Sequence, residues 1–145
     1  MRVKVPRLVV AGLSGDSGKT LVSLGIARAL TDRGVKVRPF KKGPDYIDTA
    51  WLGVAARSTC RNLDTFLMPD EAMAGSLATA ATDADLILVE GNRGLFDGVD
   101  VEGSHSTAML ARRLAAPILL VLDCTKMTRT AAALVLGCQA MDREI

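Results

Sequence analysis

The sequence has few aromatic residues and little net charge. Phenylalanine, tryptophan and tyrosine make up 3% of its 145 residues, too few for the stacked rings on which single-stranded nucleic acids bind. Eighteen Lys and Arg residues against sixteen Asp and Glu residues leave a formal charge of +2, so no strong field favours duplex nucleic acid or an anionic membrane. We therefore expect neither nucleic acid nor a membrane as a partner.

Cysteine pairs and long apolar runs are also missing. Cys60, Cys124 and Cys138 are odd in number, lie far apart and lack C-x-x-C spacing, which disfavours a zinc or redox site. The apolar run at 118–122 is far shorter than the roughly 20 residues that span a bilayer. We expect a soluble, cytoplasmic protein with reduced thiols.

Apolar runs alternate with helical patterns along the whole chain. The first predicted helix contains Val22, Ile26 and Leu30 and ends near Gly34. Strands are predicted at 8–11, 35–40, 86–89 and 118–122, and further helices at about 49–56, about 70–82, 106–114 and 129–140. Uninterrupted aliphatic strands separated by helices are typical of a parallel sheet covered on both faces. The predicted fold is α/β, doubly wound and mainly parallel.

The end of this pattern predicts an incomplete domain. No strand follows the helix at 129–140, although a right-handed crossover normally returns the chain to the sheet. The length suits one domain rather than two. We therefore expect residues 1–145 to form a single, truncated domain.

The segment between the first strand and the first helix is predicted to be a phosphate-binding loop. It ends in Gly-Lys-Thr, and its glycines let backbone N–H groups converge on phosphate oxygens at a helix N-terminus. Lys19 would bridge phosphates, and the Thr20 hydroxyl would ligate Mg²⁺. The usual pattern has glycine where this chain has Leu13. The predicted ATP-binding residues are Gly12, Ser14, Gly15, Asp16, Ser17, Gly18, Lys19 and Thr20.

Carboxylates follow the last two strands, at the sheet edge where ligands bind in such folds. Glu90 comes directly after the strand at 86–89 and is the candidate partner of Thr20 around Mg²⁺. Asp123, after the next strand, competes for that role. The segment after Asp123 approaches the motif that binds guanine, but Thr128 replaces its necessary carboxylate. We therefore predict adenine rather than guanine.

The segment at 41–48, after the second strand, combines two cations with two carboxylates. Asp45 is a further candidate Mg²⁺ ligand, and Lys41 would offset charge that develops on a transferred phosphoryl group. The single histidine, His105, lies between two serines at a helix start and is interpreted as a solvent-facing residue rather than a base.

Four segments together resemble the amino-terminal synthetase domain of the cobyrinic acid a,c-diamide synthases, in order and at the family's spacing. They are the phosphate loop at 12–20, Phe-Lys-Lys-Gly-Pro-Asp-Tyr-Ile-Asp at 40–48, Arg-Asn-Leu-Asp at 61–64 and Glu-Gly-Asn-Arg-Gly-Leu-Phe-Asp-Gly at 90–98. The shifted glycine of the loop is similar to that of the related dethiobiotin synthetases. The resemblance implies an NTPase-like fold with a phosphate loop, and an ATP-binding amidoligase domain.

The resemblance implies ATP-dependent amidation of the a and c acetate carboxylates of a tetrapyrrole. ATP would convert a carboxylate to an acyl phosphate, and ammonia from glutamine would displace the phosphate. The implied catalytic residues are Lys19, Lys41, Asp45, Asp48, Glu90 and Asp97, with Thr20, Asp45 and Glu90 around Mg²⁺. The implied substrate-binding residues are Tyr46, Ile47, Arg61 and Asp64, to which we add Arg93 for its charge.

Two departures from the family bear on these expectations. The chain contains nothing that corresponds to the carboxy-terminal glutamine amidotransferase domain, so we expect this fragment to be inactive with glutamine. The Asn92-Arg93 pair stands where family members often have Val-Met, and this pair is closer to relatives acting on sirohaem or nickel-sirohydrochlorin.

The alternative hypothesis is a partition-ATPase-type switch that dimerises on ATP binding, although Ser14 stands where those ATPases usually carry a lysine. Either interpretation is compatible with a homodimer.

Overall fold

The computed structural model describes residues 4–144, in which five strands alternate with five helices. In chain order the elements are β1 (Arg7–Gly12), α1 (Lys19–Asp32), β2 (Val37–Lys42), α2 (Ile47–Ala56), β3 (Arg61–Leu63), α3 (Asp70–Ala81), β4 (Leu86–Glu90), α4 (Thr107–Leu114), β5 (Ile118–Val121) and α5 (Thr130–Met141). Within this part of the chain, no helix is both long enough and apolar enough to cross a membrane.

The strands form one sheet in the order β3-β2-β4-β1-β5, and every observed pairing is parallel. This arrangement confirms the predicted doubly wound α/β fold. The register brings three carboxyl-terminal strand positions side by side, because Glu90 is opposite Val10 on one side and Lys41 on the other. The last residues of β1, β2 and β4 therefore lie at one edge of the sheet.

Helices cover both faces of the sheet. On one face, Val10, Val37 and Leu88 pack with residues of α1 and α2. On the other face, Phe40 and Val89 belong to a core cluster shared with α3 and α4. Successive residues of a strand point to opposite faces. Lys41 and Lys42, the last two residues of β2, are therefore directed to different sides of the sheet.

The structure confirms most predicted elements and changes two of them. β2 begins at Val37 and ends at Lys42, two residues later than predicted, because its two terminal lysines are buried strand residues rather than loop residues. β3, which spans only three residues with one buried apolar side chain, was not predicted. It pairs with β2 and is the outermost strand on that side of the sheet. The predicted start of α4 is confirmed, since the Ser106 hydroxyl accepts a hydrogen bond from the backbone N–H of Met109.

Candidate functional site

The phosphate loop connects the end of β1 to the start of α1. Gly18, which caps α1, has a φ of 90°, a conformation that favours glycine. A Cβ at Gly12 would collide with the Ser17 hydroxyl, so any other residue there would displace the Ser17 side chain. At Gly15, by contrast, a Cβ would meet no atom within 4 Å. Gly15 is exposed, so its backbone is accessible to a ligand near the helix N-terminus.

The Lys19 side chain folds back over this loop. Its Nζ donates a 2.6 Å hydrogen bond to the Ser14 carbonyl and lies 3.4 Å from the Ser17 hydroxyl. Burial lowers the pKa of Lys19, and the nearby Lys41 cation lowers it further. An anion at the loop would restore the preference of this amine for its charged form.

Four side chains from four elements, α1, β2, α2 and β4, meet beside the loop. The Thr20 hydroxyl donates to Oε1 of Glu90 over 2.7 Å, and Nζ of Lys41 donates to the same oxygen over 2.6 Å. Lys41 also donates to Oδ2 of Asp48 over 2.7 Å. We call Thr20, Lys41, Asp48 and Glu90 the charged cluster. The parallel register of β2 and β4 makes it possible, because Lys41 and Glu90 are directly paired.

Burial makes this pairing important for the charge of Lys41. Glu90 has no exposed surface, and the Lys41 side chain is 4% exposed. Burial alone lowers the pKa of Lys41, but the hydrogen bonds to Asp48 and Glu90 outweigh it and leave the pKa raised. The cluster therefore holds a protonated amine between two carboxylates.

The residues present fit a magnesium ion. The second carboxylate oxygen of Glu90, Oε2, is buried and has no hydrogen-bond partner among residues 4–144. The Thr20 hydroxyl lies against the other oxygen of the same carboxylate. Within the described residues, no group of three or more His, Cys, Asp or Glu side chains is placed to hold a metal ion. One carboxylate, one hydroxyl and nucleotide phosphates match the usual Mg²⁺ environment at phosphate sites.

A cavity of about 450 Å³, the phosphate-side cavity, unites most of the predicted residues. It is lined by residues 15–20, Lys41, Asp45, Asp48, Glu90, Asn92 and Arg93. Asp45 faces this cavity, but its Oδ1 already accepts hydrogen bonds from the backbone N–H groups of Ile47 and Asp48. Tyr46 and Ile47 are exposed at the start of α2. The functional roles of these residues stay predictions.

A second cavity, of about 430 Å³, contains one predicted substrate residue and one predicted catalytic residue that are absent from the first. Asp64 and Asp97 line it, and Arg93 lines both cavities. Oδ1 of Asp64 accepts hydrogen bonds from the backbone N–H groups of Phe66 and Leu67. Oδ2 of Asp97 accepts one from the backbone N–H of Gly94. Both carboxylates therefore stabilise turns in the wall of this second cavity.

Two candidates lie away from these cavities. Arg61, at the start of β3, lines a different cavity with Arg38 and Arg57. Asp123 is exposed, and its Oδ1 accepts hydrogen bonds from the backbone N–H and hydroxyl of Thr125. Glu90, not Asp123, is the carboxylate that contacts Thr20.

The sequence did not single out Lys42 or the actual environment of His105. Lys42 is 8% exposed and lines the second cavity. The interpretation of His105 as solvent-facing was wrong, because its ring is half-buried, hydrogen-bonds to Thr65 and packs edge-on against Phe66. The alternation of side chains along β2 could have predicted that Lys42 points to the face opposite Lys41. That prediction required the strand to be extended to Lys42.

Comparisons with known proteins agree with the geometry. Residues 8–142 match the family described as the CobQ/CobB/MinD/ParA nucleotide binding domain. A cobyrinate a,c-diamide synthase from Magnetococcus marinus is 49% identical over 94% of this chain and 29% of that protein. A hydrogenobyrinate a,c-diamide synthase from Streptomyces coelicolor is 44% identical over 97% of this chain and 29% of that protein. The chain thus spans about three tenths of these relatives, and the predicted resemblance is confirmed.

A solved structure supports the fold alone. The hydrogenase maturation factor HypB from Archaeoglobus fulgidus superposes with a TM-score of 0.54 at 19% identity. The match covers 86% of this chain and 56% of that protein. It confirms the predicted NTPase-like architecture.

Proposed function

The chain belongs to the CobQ/CobB/MinD/ParA nucleotide binding domain family, and we propose that it is the ATP-dependent synthetase domain of an a,c-diamide synthase. The observation that carries the proposal is the charged cluster, in which Lys41 joins Glu90 and Asp48 directly beside the phosphate loop. The names of the relatives favour cobyrinate or hydrogenobyrinate as acceptor over a sirohydrochlorin-type macrocycle.

In the proposed reaction, the phosphate loop and Lys19 hold the triphosphate. An oxygen of the acceptor carboxylate attacks the γ-phosphorus, the bond to the β–γ bridging oxygen breaks, and ADP leaves. Ammonia then attacks the acyl carbon, phosphate leaves, and a proton is lost as the amide forms. We propose glutamine as the source of that ammonia.

The charged cluster would act on the first of these steps. Lys41, kept protonated by its two carboxylate partners, offsets negative charge on the transferred phosphoryl group. Thr20 and Glu90 would hold Mg²⁺, which neutralises phosphate charge and fixes its geometry when bound. Asp48 fixes the Lys41 side chain through the 2.7 Å ion pair. Positioning and electrostatics would then supply most of the acceleration.

The acceptor would lie across the mouth of both cavities. Tyr46 and Ile47 are exposed at the start of α2, on the chain segment between Asp45 and Asp48 of the phosphate-side cavity. Asp97 and Arg93 line the second cavity, and Arg93 reaches both. We propose these four residues as contacts of the macrocycle or of its carboxylate arms.

The test is product analysis of the full chain with MgATP, ammonia and a panel of cobyrinate, hydrogenobyrinate and sirohydrochlorin-type acceptors. We expect ADP release to depend on the acceptor, with mass spectra showing oxygen replaced by NH. Lys19→Ala should reduce the rate at least about a hundredfold, because it removes a preorganised cation from the phosphates. Lys36→Ala, at an exposed lysine outside both cavities, is the matched control and should retain the wild-type rate.

Two results would contradict the proposal. One is a Lys19→Ala variant that forms amide as fast as the wild type. The other is ATP-driven dimerisation without amide from any acceptor, which would support a nucleotide switch of the partition-ATPase type instead.

A further inference from the structure

Lys42 is a mostly buried residue whose amine has no ion-pair partner among residues 4–144. Its side chain leaves β2 on the face opposite Lys41 and reaches the second cavity. Within residues 4–144 it forms no ion pair and donates no side-chain hydrogen bond, whereas Lys41, one residue earlier, has two carboxylate partners. Nζ of Lys42 is not among the fully enclosed polar atoms that lack a partner, so the amine is open to this cavity. A bound anion could therefore reach it without a change in the fold.

The carboxylates of the second cavity do not neutralise Lys42. Asp64 and Asp97 each direct an oxygen to backbone N–H groups of their own turns, and neither lies within ion-pair distance of the Lys42 amine. Burial lowers the pKa of Lys42, Asp64 partly opposes this, and the Arg93 cation lowers it further. Arg93 likewise forms no ion pair within the described residues. The two cations of this cavity are therefore free to bind an anion.

Around Lys42 the cavity has an apolar rim. Phe66, Leu67 and Val99 line it, and each is more than half exposed, at 63%, 58% and 60% respectively. Exposed apolar side chains around an amine that opens into a cavity suit a ligand with an apolar body and an acidic arm. Asn92 and Arg93 line both cavities, so such a ligand would extend toward the charged cluster.

The geometry points to Lys42 as the anchor for a carboxylate of the acceptor that does not react, so that a different carboxylate reaches the charged cluster. This inference rests on the proposed function and names a specificity-determining residue for it. The acceptor class it requires is a polycarboxylate built on a large apolar ring. Lys41 would then contact the phosphoryl group, and Lys42 would bind the carboxylate of the acceptor that does not react.

Acceptor binding measured without nucleotide tests this inference. The full chain is titrated with cobyrinate, and its absorbance change gives the Kd for the wild type, Lys42→Met, Lys42→Arg and Lys36→Met. We expect Lys42→Met to raise the Kd about tenfold to a hundredfold, the effect of losing one charge-assisted hydrogen bond. Lys42→Arg should bind more tightly than Lys42→Met, and Lys36→Met should match the wild type. The Kd for ATP should be unchanged in all four proteins.

A second arm does not depend on any variant folding. Wild-type chain is titrated with a fully esterified cobyrinate, which keeps the ring and lacks the carboxylates, and we expect at least tenfold weaker binding. Equal binding of acid and ester, or equal Kd values for Lys42→Met and Lys36→Met, would overturn the inference while leaving amide formation intact. A wild-type chain that neither binds nor amidates any acceptor of the panel would overturn the proposed function, and this inference with it.

Discussion

The two cavities at the carboxyl ends of the strands differ in whether their buried lysine is paired with a carboxylate. In the phosphate-side cavity, Lys41 has carboxylate partners at 2.6 Å and 2.7 Å, and its ammonium is kept protonated. In the second cavity, Lys42 is comparably buried and has no ion-pair partner among the described residues. Adjacent residues of one strand thus have opposite electrostatic environments.

The difference separates a preorganised site from one that a ligand must complete. A cation fixed between two carboxylates needs no rearrangement when charge develops beside it. An unpaired cation is most stable once an anion is bound. It therefore favours negatively charged ligands over neutral ones of the same shape. Measuring what each lysine contributes to folding distinguishes these two roles.

The largest expected effect is that of Lys41→Met. Removing this cation leaves the buried Glu90 carboxylate without a counter-ion, so we expect the free energy of unfolding to fall by about 3 kcal/mol. Urea denaturation measures it. The double variant Lys41→Met/Glu90→Gln is the control, since it removes both charges and should recover roughly half of that loss. A single variant as stable as the wild type would show that the charged cluster does not hold the fold.

Lys42→Met should have a smaller effect of opposite sign. The substitution keeps most of the side-chain volume and removes a partly desolvated charge that has no ion-pair partner among the described residues, so we expect stabilisation by up to about 1 kcal/mol without ligand. For a domain of this size that is a rise in Tm of roughly 3 °C. Calorimetry on the free chain provides the measurement. If Lys42→Met instead lowers Tm as Lys41→Met does, the contrast between the two lysines is lost.

The smallest expected effect is the pH dependence of that stabilisation. Burial lowers the pKa of Lys42 below its ordinary 10.5, so the folded chain loses this proton before the unfolded chain does as pH rises. The unfolded state then binds more protons, and wild-type stability rises with pH toward 10.5. The Tm advantage of Lys42→Met should therefore shrink from neutral pH toward 10.5. An advantage that grows over this range would mean that the folded-state pKa is not lowered.

Much of the fold could be predicted because its elements have strong local patterns. The aliphatic run of β4 and the Ser106 cap of α4 are sequence signals that need no tertiary context. β3 has no such signal, because its three residues are held by pairing with β2 rather than by their own composition. The end of β2 was also missed, since two consecutive lysines are typical of a loop and only pairing with the neighbouring strands makes them strand residues.

The candidate site divides in the same way. The phosphate loop, Lys41 and Glu90 could be predicted to converge, because the carboxyl ends of parallel strands meet at one edge. The contact of Asp48 with Lys41 depends on where α2 begins, which the sequence placed two residues too late. The remote position of Arg61 depends on β3 and was not predictable without it.

The pairing of Lys41 with Glu90 in the sheet register also limits motion between the two cavities. Lys41 and Lys42 are neighbours in the chain, so their Cα atoms are separated by one planar trans peptide of about 3.8 Å. That unit is among the stiffest in a protein, and here it lies within a parallel sheet. The backbone positions from which the two ammonium groups extend therefore cannot move apart. Any adjustment of the distance between an anion at Lys41 and an anion at Lys42 must come from the side chains.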